Sequence, residues 1–177
     1  APATLPTGPA KCCEWSPDGQ YLAVAHDTSP SITCYKRNGD TLVKLNNPAT
    51  LPTVNATSCA WAPNGIHLAV SSGTSPYMSW YKRNGDSLAK LANPADAPTA
   101  SITGYDWSPD GTCLAISISG GVALYSCSGD TLAKLATPFE KDAALRLSSV
   151  SHPEYITRVG KFFADIGGRG LLMHGTE

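Results

Sequence analysis

The sequence predicts an all-β fold of three four-stranded antiparallel units, followed by a C-terminal segment that does not share their pattern. Three tryptophans, Trp15, Trp61 and Trp107, are evenly spaced, since 61 − 15 = 46 and 107 − 61 = 46. Each opens the phrase Trp-Ser-Pro-Asp-Gly, in which the second copy has Ala and Asn in place of Ser and Asp. Each unit also holds four short apolar or alternating runs separated by turn residues. A fixed period of roughly 40–50 residues with four such runs is typical of a β-propeller blade.

The strands of the first unit follow in order from these runs. Strand a ends near Trp15, strand b covers 21–25, strand c covers 31–35 and strand d covers 41–45. The turn between a and b contains Pro, which presets φ, and Gly, which adopts positive φ. Asn38-Gly39 and Asn84-Gly85 predict type I′ hairpins between strands c and d, with Ser128-Gly129 as a weaker equivalent. Each unit is therefore predicted to be an antiparallel meander.

Strand b of each unit is predicted to be buried on both faces. Residues 22–24, 68–70 and 114–116 form continuous apolar runs. Such runs are typical of a strand that is buried on both faces, as when blades stack on each other. We therefore expect the core to lie between blades.

The repeat also predicts the domain organization. We expect residues 1–138 to form a three-blade region, with repeats at about 11–56, 57–102 and 103–138. Residues 139–177 break the pattern and hold all three phenylalanines of the chain, at positions 139, 162 and 163. Because a disordered tail would be expected to lack such residues, we predict a docking or oligomerization segment there.

Composition excludes several classes of function. The net charge is −1 and 15% of residues are charged, so no basic surface indicates nucleic acid or anionic lipid. No apolar run has the length needed to span a bilayer. The six cysteines match neither zinc-ligand spacing nor a dense disulfide scaffold, and we expect most of them to be buried free thiols.

No combination of residues indicates catalysis. His26 and His67 lie at different repeat positions, and His152 and His174 lie in the C-terminal tail. No Gly-rich phosphate loop leads from a strand into a helix. Asp18, Asn64 and Asp110 recur at one turn position but in separate units, which favors turn capping over a metal site. We therefore predict a protein that is not an enzyme and has no catalytic residue, cofactor or metal.

Residues 11–135 resemble the WD-repeat-like β-propeller blades, through Trp-Ser-Pro-Asp-Gly at strand a and Leu-Ala-Val in strand b. The longer phrase, with Tyr-Lys-Arg-Asn-Gly-Asp-Thr-Leu and Asn-Pro-Ala-Thr-Leu-Pro-Thr, is similar to blades of bacteriophage virion proteins, often tail-associated. The third copy departs from it with Tyr-Ser-Cys-Ser-Gly-Asp. The resemblance implies a structural virion component of the tail, collar or capsid surface, made in the host cytoplasm, and implies no catalytic residues.

Three blades predict an incomplete ring. Closed propellers typically need about 4–8 blades, and two uncovered blade faces would exceed the apolar area that soluble monomers expose. We expect either a homo-oligomer joined blade to blade, most simply a six-bladed dimer, or capping of the ends by the tail and a partner. Other virion structural proteins are the expected further partners.

An alternative is a module that binds a host surface glycan or receptor through its long-loop face. That face carries hydroxyls, amides and an aromatic side chain in the b–c loops, although solvated loops alone would also account for them. Candidate partner-binding residues are Tyr77 and Trp80 in the repeats and Tyr155, Phe162 and Phe163 in the tail. Lys36-Arg37 and Lys82-Arg83 would either meet an acidic partner or protect strand edges with charge.

Overall fold

The computed structural model describes residues 2–136, and the regular secondary structure in that range consists of twelve β-strands. The strands are β1 (Ala10–Trp15), β2 (Tyr21–His26), β3 (Ile32–Asn38), β4 (Thr41–Lys44), β5 (Cys59–Trp61), β6 (His67–Ser71), β7 (Met78–Asn84), β8 (Ser87–Lys90), β9 (Ile102–Trp107), β10 (Cys113–Ile118), β11 (Gly121–Ser128) and β12 (Thr131–Lys134). They form three four-stranded sheets with strands in sequence order, and all neighbors are antiparallel. Blade 1 is β1–β4, blade 2 is β5–β8 and blade 3 is β9–β12. The predicted all-β fold of three propeller blades is confirmed.

The tight turn between the first two strands of each blade is capped by one side chain. The Oδ1 atom of Asp18 accepts a hydrogen bond from the Gln20 N–H at 2.9 Å, and Asn64 and Asp110 do the same at their turns. The Ser108 hydroxyl and the Thr112 N–H lower the pKa of Asp110 to about 2, because both stabilize its ionized form. The predicted capping role is thus present in all three blades.

The hairpins between the last two strands of each blade exist, but their predicted turn type is wrong. Asn38 pairs with Thr41, so the two central residues are Gly39 and Asp40. Only Gly39 has positive φ, at 58°, which fits a type II′ turn with Gly at the first central position. The register differs by one residue from the Asn-Gly prediction because Asn38 continues the strand ladder.

The core lies between the blades, as predicted. One cluster of buried apolar side chains joins blade 1 to blade 2, and a second joins blade 2 to blade 3. Strand β6 of the middle blade is buried along its whole length, whereas Ala115 on β10 is half-buried. The two strands have similar sequences, so the difference follows from position, since blade 3 has only one neighboring blade in the described range.

In each blade, one tyrosine forms a hydrogen bond to the connector, the segment of chain that leads into that blade. The hydroxyls of Tyr35, Tyr81 and Tyr125 donate to the carbonyls of Thr4, Thr50 and Asp96, at 2.9, 2.9 and 2.7 Å. All three tyrosines have fully buried rings. Connectors without regular structure are therefore held at equivalent points in each blade.

The cysteine prediction is half right. All six thiols are free, but only Cys34 and Cys59 are buried, and Cys13 is exposed. Cys13 and Cys59 occupy equivalent positions, opposite Val24 and Val70. Cys13 is exposed because no blade precedes blade 1 in the described residues, a condition that local sequence does not reveal.

We expect Tyr81→Phe to lower the free energy of unfolding by about 1 kcal/mol, because it leaves the Thr50 carbonyl without its donor. Urea unfolding monitored by far-UV circular dichroism measures this change. Tyr77→Phe is the control, since Tyr77 lies in the neighboring loop and is not the residue that donates to the Thr50 carbonyl. Equal losses in the two variants would contradict a specific role for the tether.

Candidate interaction surfaces

The repeated tryptophan has two very different environments. The exposed fraction is 3% for Trp61 and 7% for Trp107, but 45% for Trp15. Trp61 packs in the cluster that contains Tyr21 and Ala23 of blade 1. We call the side of a blade that contacts its predecessor, marked by this tryptophan, its leading face, and the opposite side its trailing face. No other blade of the described chain packs against the leading face of blade 1.

The second junction, between blades 2 and 3, is an aromatic stack. The ring centroids of Trp107 and Trp80 lie 5.8 Å apart, and those of Trp80 and His67 lie 4.9 Å apart. Trp80 is fully buried and its Nε1 donates to the Asp130 carbonyl at 3.1 Å. Trp80 was predicted as a partner-binding residue, and its burial means that an outside molecule could reach it only by separating the blades.

Charged side chains border the first junction, between blades 1 and 2. Lys36 Nζ lies 2.8 Å from Asp86 Oδ1, and the Tyr21 hydroxyl donates to the same oxygen at 2.7 Å. The Arg83 guanidinium lies 4.2 Å from the center of the Tyr21 ring and 3.4 Å from Asp18 Oδ2. Lys36 and Tyr21 lower the pKa of Asp86 by hydrogen bonding to its carboxylate. Exposed pairs of this kind add little stability and contribute mainly to alignment.

The second junction uses the same acidic position. Asp130 is equivalent to Asp86, and it contacts His67 Nε2 at 2.9 Å and Lys82 Nζ at 2.8 Å. The lysines predicted either to meet an acidic partner or to protect edges thus meet an aspartate of the following blade. Asp86 and Asp130 were not predicted to lie at the junctions, although their recurrence one residue after the hairpin glycine was an available signal.

A proline and a glycine also meet at each junction. A Cβ atom built on Gly65 would lie 3.8 Å from Pro17 Cδ, and one built on Gly111 would lie 3.6 Å from Pro63 Cδ. The equivalent Gly19 has nothing within 4 Å. The leading face of blade 1 therefore lacks its proline contact as well as its tryptophan contact.

Glu14 links the first strands of blades 1 and 2, β1 and β5. Its Oε2 atom accepts a hydrogen bond from the Trp61 N–H at 3.1 Å. Burial raises the pKa of Glu14 to about 7, because desolvation disfavors the ionized carboxylate. This carboxyl therefore titrates near neutral pH.

The long-loop face has a distinctive backbone. Ser31 and Tyr77, at equivalent loop positions, have positive φ values of 64° and 61°. The Tyr77 side chain is half-buried, and the nearby Thr74 hydroxyl donates to Thr53 at 3.2 Å. Glycan or receptor binding at this face stays a prediction. Tyr155, Phe162 and Phe163 lie outside the described residues.

The described residues contain neither a cluster of metal-binding side chains nor a membrane-spanning helix. Within residues 2–136, no group of three or more His, Cys, Asp or Glu side chains could hold a metal ion. In the same part of the chain, no helix is long and apolar enough to cross a membrane.

We expect Glu14→Gln to gain stability relative to the wild type as pH rises from about 5 to about 8. The carboxyl has a pKa of about 7 in the folded chain against an ordinary 4.5. Between these values the folded state binds more protons than the unfolded state, so the wild type loses stability as pH rises. Urea unfolding of both proteins across this range measures the difference. Parallel pH profiles would contradict the assignment.

The fold of the chain is similar to that of several longer proteins. A candidate 6-phosphogluconolactonase from Bacteroides fragilis matches with a TM-score of 0.64 and 14% identity, covering 75% of this chain and 39% of that one. A second from Bacteroides uniformis matches with a TM-score of 0.59 and 22% identity, covering 72% and 43%. Hydrazine synthase of Kuenenia stuttgartiensis matches at 0.57 and 19%, covering 75% and 36%. At these identities the likeness shows the fold alone.

The chain spans less than half the length of each of these structures. It also contains 40 residues, 23% of its length, that are 80% identical to part of the uncharacterized protein YbiB of Escherichia coli (strain K12). That match covers 12% of YbiB. The blades also match a known protein family. Residues 10–130 match the family described as the ELP1 first N-terminal beta-propeller. As this match covers more than half of the sequence, the chain belongs to that β-propeller family.

Proposed function

We propose that this protein is a non-enzymatic interaction module that completes its ring by head-to-tail contact with a second copy. The observation that carries the proposal is the contrast between exposed Trp15 and its buried equivalents, Trp61 and Trp107. The two junctions within the chain define the contacts that such an interface needs. The leading face of blade 1 (Trp15, Gly19, Arg37 and Asp40) and the trailing face of blade 3 (Pro109, Asp110, Ala115, Leu124 and Ser126) supply most of them.

The apolar contacts fit this arrangement. Ala23 and Ala69, on the trailing faces of blades 1 and 2, are fully buried in the clusters that hold Trp61 and Trp107. The equivalent Ala115 is half-buried, as is Leu124 at the position that Trp80 occupies in blade 2. The Trp15 indole of a second copy would cover both side chains. Burying an aromatic side chain of this size contributes about 2 kcal/mol or more at each junction.

The polar contacts fit as well. Arg37 and Asp110 are both exposed and are equivalent to Arg83 and Asp18, which form an ion pair across the first junction. Pro109 is exposed and would meet Gly19, as Pro63 meets Gly111. Ser126 replaces the lysine of the other blades and would face Asp40 with a hydroxyl donor. Opposite charges therefore face each other at the proposed junction.

Two copies would give six blades, which lies within the range of closed propellers. Each chain would present its leading face to the trailing face of its partner, so a two-fold dimer would contain two identical junctions. The polar groups of the described blades support a non-enzymatic role, because Asp18, Asp86, Asp130 and His67 are engaged in turns or junctions.

We further propose that the assembled ring is a bacteriophage virion component. It is supported by the resemblance of the blade phrase to blades of virion proteins, together with the two faces that suit assembly. An antibody raised against the chain tests it by electron microscopy of purified phage particles. Labeling at one place on the particle is expected, and labeling confined to host material would contradict it.

Native mass spectrometry at micromolar concentration tests the ring. We expect a mass twice that of the 18.5 kDa chain. Trp15→Ser should abolish the dimer while leaving the fold intact, because Trp15 is exposed in the single chain. Arg37→Asp should weaken the dimer about tenfold, since two junctions would each lose roughly 0.7 kcal/mol.

The matched control exchanges the two charges. Arg37→Asp combined with Asp110→Arg should restore the wild-type dissociation constant, because the pair is re-formed across each junction. A monomeric wild type would contradict the proposal. So would a dimer whose stability depends on neither position 15 nor the pair 37 and 110.

A further inference from the structure

Two cysteines from different blades lie next to each other at the first junction. Cys12 is on β1 of blade 1, and Cys59 is on β5 of blade 2. Their Sγ atoms are 4.0 Å apart, with the Cys59 thiol donating to Cys12. The Cys12 Sγ also lies 3.7 Å from the Cys59 carbonyl oxygen, so its side chain is directed across the junction.

The two thiols differ in exposure. Cys12 is half-buried and is packed at the border of the first core cluster. Cys59 is 3% exposed and its Sγ also lies 3.9 Å from the Ala23 carbonyl oxygen. A solute can therefore reach Cys12 more readily than Cys59.

The two thiols also differ in protonation. The hydrogen bond from Cys59 lowers the pKa of Cys12, because it stabilizes the thiolate. The same hydrogen bond, together with burial, raises the pKa of Cys59. The thiolate is the nucleophilic form of cysteine, so Cys12 is the reactive member of the pair.

We propose that Cys12 and Cys59 form an oxidant-sensitive dithiol that a hydroperoxide converts into a disulfide joining blade 1 to blade 2. The geometry requires only a short movement. A disulfide has an S–S distance of about 2.04 Å, so the two side chains together must close a gap of about 2 Å.

The reaction proceeds in two balanced steps. The Cys12 thiolate attacks the terminal oxygen of the hydroperoxide, the O–O bond breaks, and an alkoxide or hydroxide leaves as Cys12 becomes a sulfenic acid. The Cys59 sulfur then attacks the Cys12 sulfur, the S–O bond breaks, and the oxygen leaves as water with the Cys59 proton. The two thiols are oxidized by two electrons, and the peroxide is reduced by two.

The other cysteines in the described range are less suited to this reaction. Cys34 is deeply buried, and burial raises its pKa to about 12. Cys13 is exposed and projects from the opposite side of β1, away from Cys12. Cys113 and Cys127 lie on blade 3, away from the first junction. Cys13 is therefore a suitable control, being adjacent in sequence yet outside the pair.

The experiment treats the full chain with hydrogen peroxide and then counts free thiols under denaturing conditions. We expect the wild type to fall from six thiols to four and to regain six with dithiothreitol. Cys13→Ser should fall from five thiols to three. Cys12→Ser and Cys59→Ser should form no intramolecular disulfide.

Trapping of sulfenic acid distinguishes a variant that cannot form the disulfide from one that fails to fold. In Cys59→Ser, Cys12 should stop at the sulfenic acid and be labeled by dimedone, whereas the wild type should show at least tenfold less label at Cys12. Far-UV circular dichroism confirms that each variant is folded. A wild type that keeps six thiols, or a disulfide that still forms in Cys12→Ser, would overturn the proposal.

Discussion

The structure depends on the burial of one tryptophan between each pair of neighboring blades. A four-stranded meander is too thin to enclose a core of its own, so its apolar faces must be covered by the next unit. Trp61 and Trp107 each bring a large apolar side chain into that space and are almost completely buried. At about 25 cal/mol per Å² of buried apolar surface, such contacts outweigh the exposed ion pairs at the rim. The blades are therefore stable as neighbors and incomplete alone.

The polar side chains at each junction align the two blades, and the apolar side chains hold those blades together. Asp86 and Asp130 occupy one position after the hairpin glycine, and each contacts a lysine of the preceding blade. In blade 3 the arginine and lysine of this pattern are replaced by Cys127 and Ser126. Ser126 removes the lysine from the trailing face of blade 3, and Cys127 removes the arginine from its leading face, yet the tryptophan position is unchanged. Alignment can thus vary between blades while the apolar contact is retained.

The first junction combines several chemically distinct groups in a small space. Glu14 accepts the Trp61 N–H, and Cys12 accepts a hydrogen bond from Cys59. Each of these groups crosses from β1 to β5, which are separated by a whole blade in sequence. Burial raises the pKa of Glu14, whereas hydrogen bonding lowers that of Cys12. The same interface therefore changes the protonation of two groups in opposite directions.

The sequence by itself determined the fold class, the strand order and the capped turns, because period, apolar runs and turn residues are local signals. Tertiary structure decided the hairpin register at Asn38, the exposure of Cys13 and Trp15, and the contacts of Asp86, Asp130 and Cys12. The hairpin register is the same in all three blades and follows from strand pairing within a blade, whereas each of the other features depends on which blade lies alongside. Equivalent residues in a repeat have the same local signal but different neighbors, and burial, pKa and pairing are properties of the neighbors.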